Sequence, residues 1–327
     1  MQERGDPGNH EGRTGNEIAS RDGEDGRRES GQAMIFYFTA TGNSLHAARA
    51  IAGRSGEELR SIPQEMGGAA ATGWPGTRAD GKARADAGAD GPGGAAREKH
   101  RYEDEVIGFV MPVYAHDLAP IAARFIEQGS FSADYVFAVL TYGNRAGCAV
   151  EACERRLAAA GAHLDYAELL LMADNWLPSY DAAEQAEMEK SEAGHLARIS
   201  SEIASRKRWV RPATGDDRAA DDDLFSRGFS FDTLCDPAFL GPLLRVRDEC
   251  TGCGVCAQVC PAGCMRVEGG KAQRDVAAGL GCTACLACIH ACPQHAIEMP
   301  GGEANPHARY RHEGVSLRDL VEANCRP

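Results

Sequence analysis

Eight cysteines near the C-terminal end of this chain form two copies of one spacing. The first copy runs from Cys250 to Cys260 and the second from Cys282 to Cys292, each as Cys-x2-Cys-x2-Cys-x3-Cys followed by proline. Thiolates are the soft ligands with which proteins bind zinc and iron–sulfur clusters. Two tandem copies, each closed by Cys-Pro, favour iron–sulfur binding over a zinc site or a disulfide scaffold.

This doubled spacing resembles that of the bacterial two-cluster ferredoxins, which hold two [4Fe–4S] clusters. In those proteins the first three cysteines of a copy bind one cluster and the fourth crosses to the other. The resemblance implies a first ligand set, for cluster I, made of Cys250, Cys253, Cys256 and Cys292. It implies a second set, for cluster II, made of Cys260, Cys282, Cys285 and Cys288.

A second segment whose residues could bind a ligand is Thr-Ala-Thr-Gly-Asn-Ser at 39–44. It follows an apolar run at 34–38, which predicts a buried parallel strand, and it precedes a helical pattern that starts at Ser44. Unpaired N–H groups at a helix N-terminus, with nearby hydroxyls, bind an anion. The segment is neither a triphosphate loop with lysine nor Gly-x-Gly-x-x-Gly, so a monophosphate is favoured. Taken alone, the segment could also be an ordinary capped helix.

From Met34 onward the chain is similar to a family in which a flavodoxin-like domain is followed by a two-cluster ferredoxin domain. The segment at 39–44 matches the flavodoxin phosphate loop. Pro112-Val113-Tyr114 and Thr141-Tyr142-Gly143-Asn144 follow the next two clear strands, where that family has its flavin loops. In such folds ligands bind outside the carboxyl ends of the strands.

The resemblance implies FMN as a cofactor. Tyr114 would stack on the isoalloxazine ring, since an aromatic face fits a planar ring. The implied FMN-binding residues are Thr39, Thr41, Gly42, Asn43, Ser44, Tyr114, Gly143 and Asn144. Trp176 is a second stacking candidate, although a core or interface position is favoured. His116 and Asp117 could donate a proton, although a solvated loop is favoured.

The predicted fold class is α/β, a flavodoxin-like doubly wound parallel sheet followed by a small α+β two-cluster ferredoxin domain. Strand-like runs alternate with helical patterns from 34 to 172, which favours a parallel sheet. The predicted domains are a disordered tail at 1–32, a flavodoxin-like FMN-binding domain at 33–180 with a flexible insertion at 66–100, a helical connector at 181–245, the ferredoxin domain at 246–300, and a tail at 301–327 with a short docking helix. Within the connector, the acidic stretch 212–223 is predicted to be a loop.

Composition and charge narrow the range of cellular compartments and partners. Cysteines outside the two sets are Cys148, Cys153, Cys235, Cys264 and Cys325. This odd number suits a reducing cytoplasm, and Cys264 is expected to pack as a small hydrophobe. Residues 1–30 lack the apolar core of a secretory signal, and no apolar run could span a bilayer. The net charge of −13 disfavours nucleic acid and anionic membranes as partners. We therefore expect a cytoplasmic protein without membrane insertion, whose partners are redox proteins.

Function follows from the implied cofactors. FMN accepts one or two electrons, whereas each cluster passes one. The predicted function is an electron carrier that converts between one- and two-electron flow for a redox partner. A flavin oxidoreductase that the clusters supply with electrons, acting on a small molecule, is the alternative, and a redox sensor is a third possibility. The sequence leaves open whether the chain is an enzyme.

Overall fold

The computed structural model describes residues 33–55, 57–67 and 99–324. The predicted tail at 1–32, Cys325 and most of the predicted insertion lie outside these ranges. Met66 and Gly67 end a helix and His100 begins a strand. Regular structure therefore extends from both sides into the range 66–100 that the sequence predicts to be an insertion.

A parallel sheet forms the centre of the fold. The strands of this sheet are β1 (Met34–Tyr37), β2 (Glu58–Ser61), β3 (His100–Tyr114), β4 (Asp117–Leu118), β5 (Gly129–Tyr142), β6 (Tyr166–Leu171) and β7 (Trp209–Val210). The spatial order is β2-β1-β3-β5-β6-β7, all parallel, and only β4 pairs antiparallel, with the end of β3. Counting parallel strands alone, the first five have the order 2-1-3-4-5 of flavodoxin-like sheets. The predicted fold class is confirmed.

Helices cover both faces of the sheet, because alternate residues of each strand point to opposite sides. The helices of this half are α1 (Asn43–Ser55), α2 (Ile62–Gly67), α3 (Pro120–Gln128), α4 (Ala149–Ala159), α5 (Ala182–Glu187) and α6 (Glu192–Ala204). Phe36 and Phe109 pack on the side of α3 and α4. Ile35 and Val110 pack on the side of α1 and α6. Strands buried on both faces are typical of parallel sheets.

The two central strands, β3 and β5, begin at His100 and Gly129, ahead of their apolar runs at 106–111 and 135–140. In the added part, 100–104 pairs in parallel with 129–133. Tyr102 stacks on Phe131 with ring centroids 5.3 Å apart, and both side chains are buried. Charged residues flank Tyr102 and serines flank Phe131, so the short polar stretches conceal the strand period in the sequence.

The connector contains a helix where a loop was predicted. The stretch 212–223 lies largely in α7 (Gly215–Ser226), so the loop prediction is wrong. The Thr214 side chain accepts from the Asp217 N–H, and the Asp217 carboxylate accepts from the Thr214 N–H. This reciprocal capping box stabilises the N-terminus of a helix whose composition is otherwise unfavourable. A short 3₁₀ helix (Asp232–Cys235) and α8 (Pro237–Leu243) complete the connector.

The cysteine-rich part packs directly on the sheet. Its elements are β8 (Arg245–Val246), α9 (Val255–Gln258), β9 (Met265–Glu268), β10 (Lys271–Arg274), α10 (Ala287–His290) and β11 (Ile297–Glu298). β9 pairs with β10 and β8 with β11, both antiparallel. Ala262 and Leu280 join the core on the α3 side, and Arg124 of α3 donates to the Leu280 carbonyl at 2.9 Å. The described residues, 33–55, 57–67 and 99–324, belong to one compact unit.

The C-terminal segment ties these parts together. Its helix α11 (Leu317–Asn324) contacts β2, where the Ser61 hydroxyl donates to the Ala323 carbonyl. At the end of α11 the buried Asn324 amide donates to the Val259 carbonyl at 3.1 Å, next to α9. The segment therefore joins the edge of the sheet to the cysteine-rich part. No helix in the described ranges is long and apolar enough to cross a membrane.

We expect Leu320→Ala to destabilise the fold by about 2–5 kcal/mol, because removing a buried leucine side chain leaves a cavity. Leu320 is only 2% exposed, in the core on the α1 side. Thermal unfolding monitored by circular dichroism measures the effect. Arg318→Ala on the same helix is the control, since the Arg318 side chain is 87% exposed and should change stability by less than about 0.5 kcal/mol. Equal unfolding temperatures for the two variants would contradict the docked position of α11.

Candidate cofactor sites

A cavity of about 470 Å³ lies at the carboxyl ends of β1, β3 and β5. In doubly wound sheets this edge is where ligands bind. One end of the cavity is formed by the segment 39–44, hereafter the phosphate loop, and the rest by the loops after β3, β5 and β6 together with part of the connector. All the predicted FMN-binding residues except Gly42 line it directly. A volume of this size is typical of small-molecule sites.

The phosphate loop presents buried hydroxyls to the cavity. Thr39, Thr41 and Ser44 are each at most 3% exposed. Thr39 Oγ1 accepts from the Gly42 N–H at 3.1 Å, so its own proton stays available to an anion. Asn175 donates to Thr41 Oγ1 at 2.9 Å, which leaves the Thr41 proton available in the same way. The first-turn N–H groups of α1 have no partners within the helix. The loop thus offers the donors that a phosphate requires.

The Asn43 side chain also makes hydrogen bonds within the protein. Its amide donates to the Ala173 carbonyl at 2.9 Å, and its oxygen accepts from the Tyr310 hydroxyl at 2.7 Å. The second amide hydrogen and the backbone N–H are left as donors for a phosphate. The side chain thus also holds the loop after β6 and the C-terminal segment in place.

Gly42 allows the C-terminal segment to pack against the back of the phosphate loop. Its φ is +111°, and an added Cβ would lie 2.9 Å from the Cβ of His312 and 3.0 Å from that of Val315. The His312 N–H donates to the Thr41 carbonyl at 2.9 Å. Glycine is required here both by the backbone conformation and by this close approach.

A histidine between two cysteines of the second copy connects three parts of the chain. His290 Nδ1 accepts from the Tyr310 N–H at 3.0 Å, so Nε2 carries the proton and donates to the Asn175 carbonyl at 2.9 Å. Burial lowers the pKa of His290 to about 4, which keeps the ring neutral. The ring joins α10 to the loop after β6 and to the C-terminal segment.

The far end of the cavity is aromatic. Tyr114 meets Phe38 edge to face at 6.4 Å between ring centroids, and its buried hydroxyl has no hydrogen-bond partner in the described structure. Burial raises the pKa of Tyr114 well above its usual value. Trp176 lines the cavity and packs on Phe229, with ring centroids 6.1 Å apart. It therefore faces the cavity and also contacts the connector, so its two predicted roles are compatible.

Close packing brings the two loop residues Gly143 and Asn144 to the cavity wall. A Cβ on Gly143 would lie 2.4 Å from the Cα of Asp174, so only glycine fits. The Asn144 side chain donates to the Tyr180 hydroxyl. Burial raises the pKa of Asp174, whose carboxylate accepts from the Trp176 N–H at 2.7 Å.

The connector supplies a wall that sequence reasoning missed. Residues of α7 and the turn after it line the cavity, namely Ala220, Asp223, Leu224, Arg227 and Phe229. Asp223 pairs with Arg145 at 3.3 Å, and this pair crosses from α7 to the loop after β5. The Thr214-x-x-Asp217 pattern is the signal that would have revealed the helix.

The prediction of a solvated loop at His116 and Asp117 is also wrong. Both residues form carboxylate–base pairs, His116 with Asp221 and Asp117 with Arg156, and these pairs are largely buried.

The eight cysteines gather around two separate small cavities. One is lined by Cys250, Cys253, Cys256 and Cys292. The other is lined by Cys260, Cys282, Cys285 and Cys288. Each cavity therefore combines three cysteines of one copy with the fourth of the other, in the arrangement that the crossed assignment requires. Cys253 is exposed and the rest are half-buried or buried.

N–H groups surround the sulfur atoms at both cavities. Ala272 donates to Cys250 Sγ at 3.3 Å and Ala296 donates to Cys292 Sγ at 3.3 Å. At the second cavity Arg274 donates to Cys282 Sγ at 3.3 Å. The Ala272 N–H lowers the pKa of the Cys250 thiol. Such donors stabilise thiolate ligands and adjust cluster potentials, so this donor set fits iron–sulfur clusters.

Of the remaining described cysteines, Cys264 also lines the second cavity, and Cys148, Cys153 and Cys235 line neither cavity. Cys264 is buried there and donates to the Ala278 carbonyl at 3.3 Å. Cys153 is fully buried in the core and burial raises its thiol pKa to about 12. Cys148 and Cys235 are half-buried, and burial raises the pKa of both thiols.

A further group of possible metal ligands consists of His46, Glu192 and His312. The Gly314 N–H donates to His312 Nδ1 at 3.1 Å, so the proton is on Nε2, which faces Glu192 at 3.1 Å. A metal-binding histidine normally donates its second N–H instead of accepting there. The group therefore acts as a hydrogen-bonded link between α1, α6 and the C-terminal segment.

Comparison with known proteins adds a family match for the second half. The model of the 4Fe-4S dicluster domain family matches residues 247–300. None of the curated proteins matches the chain. A flavoprotein in complex with FMN from Lactobacillus acidophilus is 13% identical with a TM-score of 0.26, over 43% of this chain and 93% of that one. The Trp repressor binding protein of Bacillus subtilis is 10% identical with a TM-score of 0.31, over 54% and 99%.

The strand order and the cavity at the carboxyl edge identify the flavodoxin-like fold of the sheet that runs from Met34 to Val210. The matched family identifies residues 247–300. Both halves are as the resemblance implied. The chain is a fusion of a flavodoxin-like domain with a 4Fe-4S dicluster domain.

Proposed function

We propose that this protein is an iron–sulfur flavoprotein that passes electrons between two [4Fe–4S] clusters and one FMN. The observation that carries the proposal is a shared wall. Ala284, between two cysteines of the second copy, lines both the large cavity and the cluster II cavity. Ligands in these cavities would be separated by little more than one loop of backbone.

Tyr114 supports the same connection from the other side. Its ring lines the large cavity and packs beside Ala284 and Cys282. Cys285 is close enough that its charge adds to the rise in the pKa of the Tyr114 hydroxyl, after the effect of burial. The tyrosine would thus fill the space between the predicted flavin position and cluster II and exclude water from it. Its ring would orient the isoalloxazine ring by stacking on it.

Residues of this chain would position FMN, and the exposure of the cysteines indicates which cluster receives electrons first. The phosphate loop would hold the phosphate, and Tyr114, Trp176, Gly143 and Asn144 would surround the ring. FMN bound there would supply two-electron chemistry, while each cluster exchanges one electron at a time. Since Cys253 is the exposed ligand, cluster I is the entry point for a one-electron redox partner protein, and cluster II is the inner relay.

A reducing compartment such as the cytoplasm suits this function. The twelve described cysteines are all free thiols, and eight of them would have to remain reduced to bind clusters. The negative net charge of −13 favours partner proteins with a basic docking surface over nucleic acid.

We expect Thr41→Ala with Ser44→Ala to weaken FMN binding by about 3–6 kcal/mol, because hydrogen bonds to charged groups contribute about 1.5–3 kcal/mol each and the double variant removes two. Riboflavin is the matched control, since it lacks the phosphate and should lose much less affinity. Fluorescence titration of the flavin-free protein with both ligands measures the difference. An equal loss for the two ligands would mean that the loop does not hold a phosphate.

We expect Cys260→Ala to damage cluster II and Cys292→Ala to damage cluster I, because the fourth cysteine of each copy crosses over. Iron content should fall below the value of about eight per chain that two clusters require. Anaerobic alkylation followed by mass spectrometry identifies the freed thiols. Cys282, Cys285 and Cys288 should react in the first variant and stay protected in the second. The reverse pattern would refute the crossed assignment.

We expect the clusters to reduce the flavin within one chain. In stopped-flow reduction by dithionite, the rate of flavin bleaching should not depend on protein concentration, because fusion holds the two centres at a high effective concentration. Cys282→Ala, which removes cluster II, controls for direct reduction by dithionite and should slow the flavin phase. A rate that rises in proportion to protein concentration, or an unchanged rate in the variant, would contradict the relay.

A further inference from the structure

A strained turn follows β3 at the cavity. Tyr114 pairs with Asp117 across a hairpin whose two central residues are Ala115 and His116. Their φ angles are +49° and +60°. Two-residue hairpins with positive φ at both positions normally use glycine, asparagine or aspartate, because other side chains are strained there. Neither residue is of these types. Such strain persists where the surrounding structure enforces it, and it clusters at functional sites.

The histidine on this turn is held by a carboxylate from α7. His116 Nδ1 lies 2.9 Å from Asp221 Oδ1, and the side chains are 11% and 16% exposed. Asp221 Oδ1 also accepts from the Cys148 N–H at 3.2 Å. Because a carboxylate accepts only, Nδ1 carries the ring proton and Nε2 has a free lone pair. No described residue forms a hydrogen bond with Nε2, and His116 lines the cavity.

Gly147 makes room for this pair. Its φ is +52°, and an added Cβ would lie 1.9 Å from Asp221 Oδ1 and 2.6 Å from His116 Nδ1. The turn, the carboxylate and the glycine come from three separate elements, and all three fix one imidazole at the cavity wall. A histidine oriented by a carboxylate is the usual arrangement of a proton-exchanging group.

We propose that the cavity also takes a small α,β-unsaturated carbonyl compound, and that His116 Nε2 exchanges a proton with its oxygen while Asp221 positions the ring. The proposal rests on the proposed function, because it needs reduced FMN. The conjugated compound is planar and would stack beside the apolar side chains of Leu224 and Phe229, which α7 and its following turn bring to the cavity.

In the reductive direction the enone receives a hydride and a proton from two different groups. The β carbon of the enone gains a hydride from reduced flavin, the carbon–carbon double bond shifts toward the carbonyl carbon, and the oxygen takes the proton of protonated Nε2. The products are an enol, which becomes the saturated carbonyl compound, oxidised flavin and neutral imidazole. Water returns one proton to the imidazole and one to the flavin, and the redox partner returns two electrons one at a time through the clusters.

Several charged groups face His116. Burial lowers its pKa from the usual 6.5, whereas Asp221 and Asp217 raise it and Arg145 lowers it. Since protonated Nε2 is the donor, both enone binding and hydride transfer should weaken as the pH rises through the pKa of His116. Replacing Asp221 by asparagine removes a charge that raises this pKa, so the profile should move to lower pH.

The test uses the loaded protein with 2-cyclohexenone as the probe. Binding to the oxidised protein is followed by the change in flavin absorption across a pH series, and single-turnover oxidation of the pre-reduced flavin is followed by stopped flow. We expect His116→Gln to abolish the pH dependence of binding and to slow oxidation by roughly a hundredfold or more. Asp221→Asn should shift both profiles to lower pH.

His163→Gln is the matched control, because the His163 side chain is 83% exposed and should leave both profiles unchanged. Failure of the enone to oxidise the wild-type flavin would overturn the proposal. So would unchanged profiles in His116→Gln, or a loss of FMN affinity as large as the loss of rate, since that pattern belongs to a purely structural latch. FMN binding and reduction of flavin by the clusters do not require this step, so their failure would instead contradict the proposed function.

Discussion

The arrangement of both halves depends on one buried, neutral imidazole. His290 uses both ring nitrogens, one toward the C-terminal segment and one toward the loop after β6. Because it lies in α10, between Cys288 and Cys292, any movement of the cysteine-rich part moves the cavity wall with it. Hydrogen bonds buried at low dielectric are strong when made and costly when broken. This ring therefore fixes the distance between the cysteine cavities and the phosphate loop.

The C-terminal segment extends the same constraint to the phosphate loop. Tyr310 contacts Asn43 with its hydroxyl and His290 with its N–H. His312 then donates to the Thr41 carbonyl, beside the glycine whose missing side chain admits it. The loop, the segment and α10 thus form a continuous chain of hydrogen bonds. A phosphate bound by the loop would rest on a support that also holds the cysteine-rich part.

Features governed by local rules could be read from the sequence. The apolar run that became β1 predicted a buried parallel strand, because side-chain period acts over a few residues. The doubled cysteine spacing implied the two groups of cysteines through its resemblance to two-cluster ferredoxins. The role of Asn43 could not be read in this way. Its partners, Ala173 and Tyr310, are distant in sequence, and only the folded chain brings them together.

Two errors have specific physical causes. The acidic composition of 212–223 suggested a loop, but the capping box at Thr214 and the cross-pairing of Asp221 and Asp223 stabilise α7 over the cavity. The charged residues at 100–105 concealed the start of β3, whose alternate aromatic side chains pack underneath. In both cases tertiary contacts outweighed local composition.

The ends of α2 and β3 mark a part of the molecule remote from any chemistry. Tyr102 donates to Glu65 at 3.1 Å, so the described residues on either side of 68–98 lie close together at one point. That point lies at the amino ends of the strands, whereas the cavity lies at their carboxyl ends. Closely spaced attachment points tolerate changes in connection length at small entropic cost. A reporter domain or surface anchor grafted between these two ends would be attached on the side of the sheet opposite the cavity, leaving the cavity free.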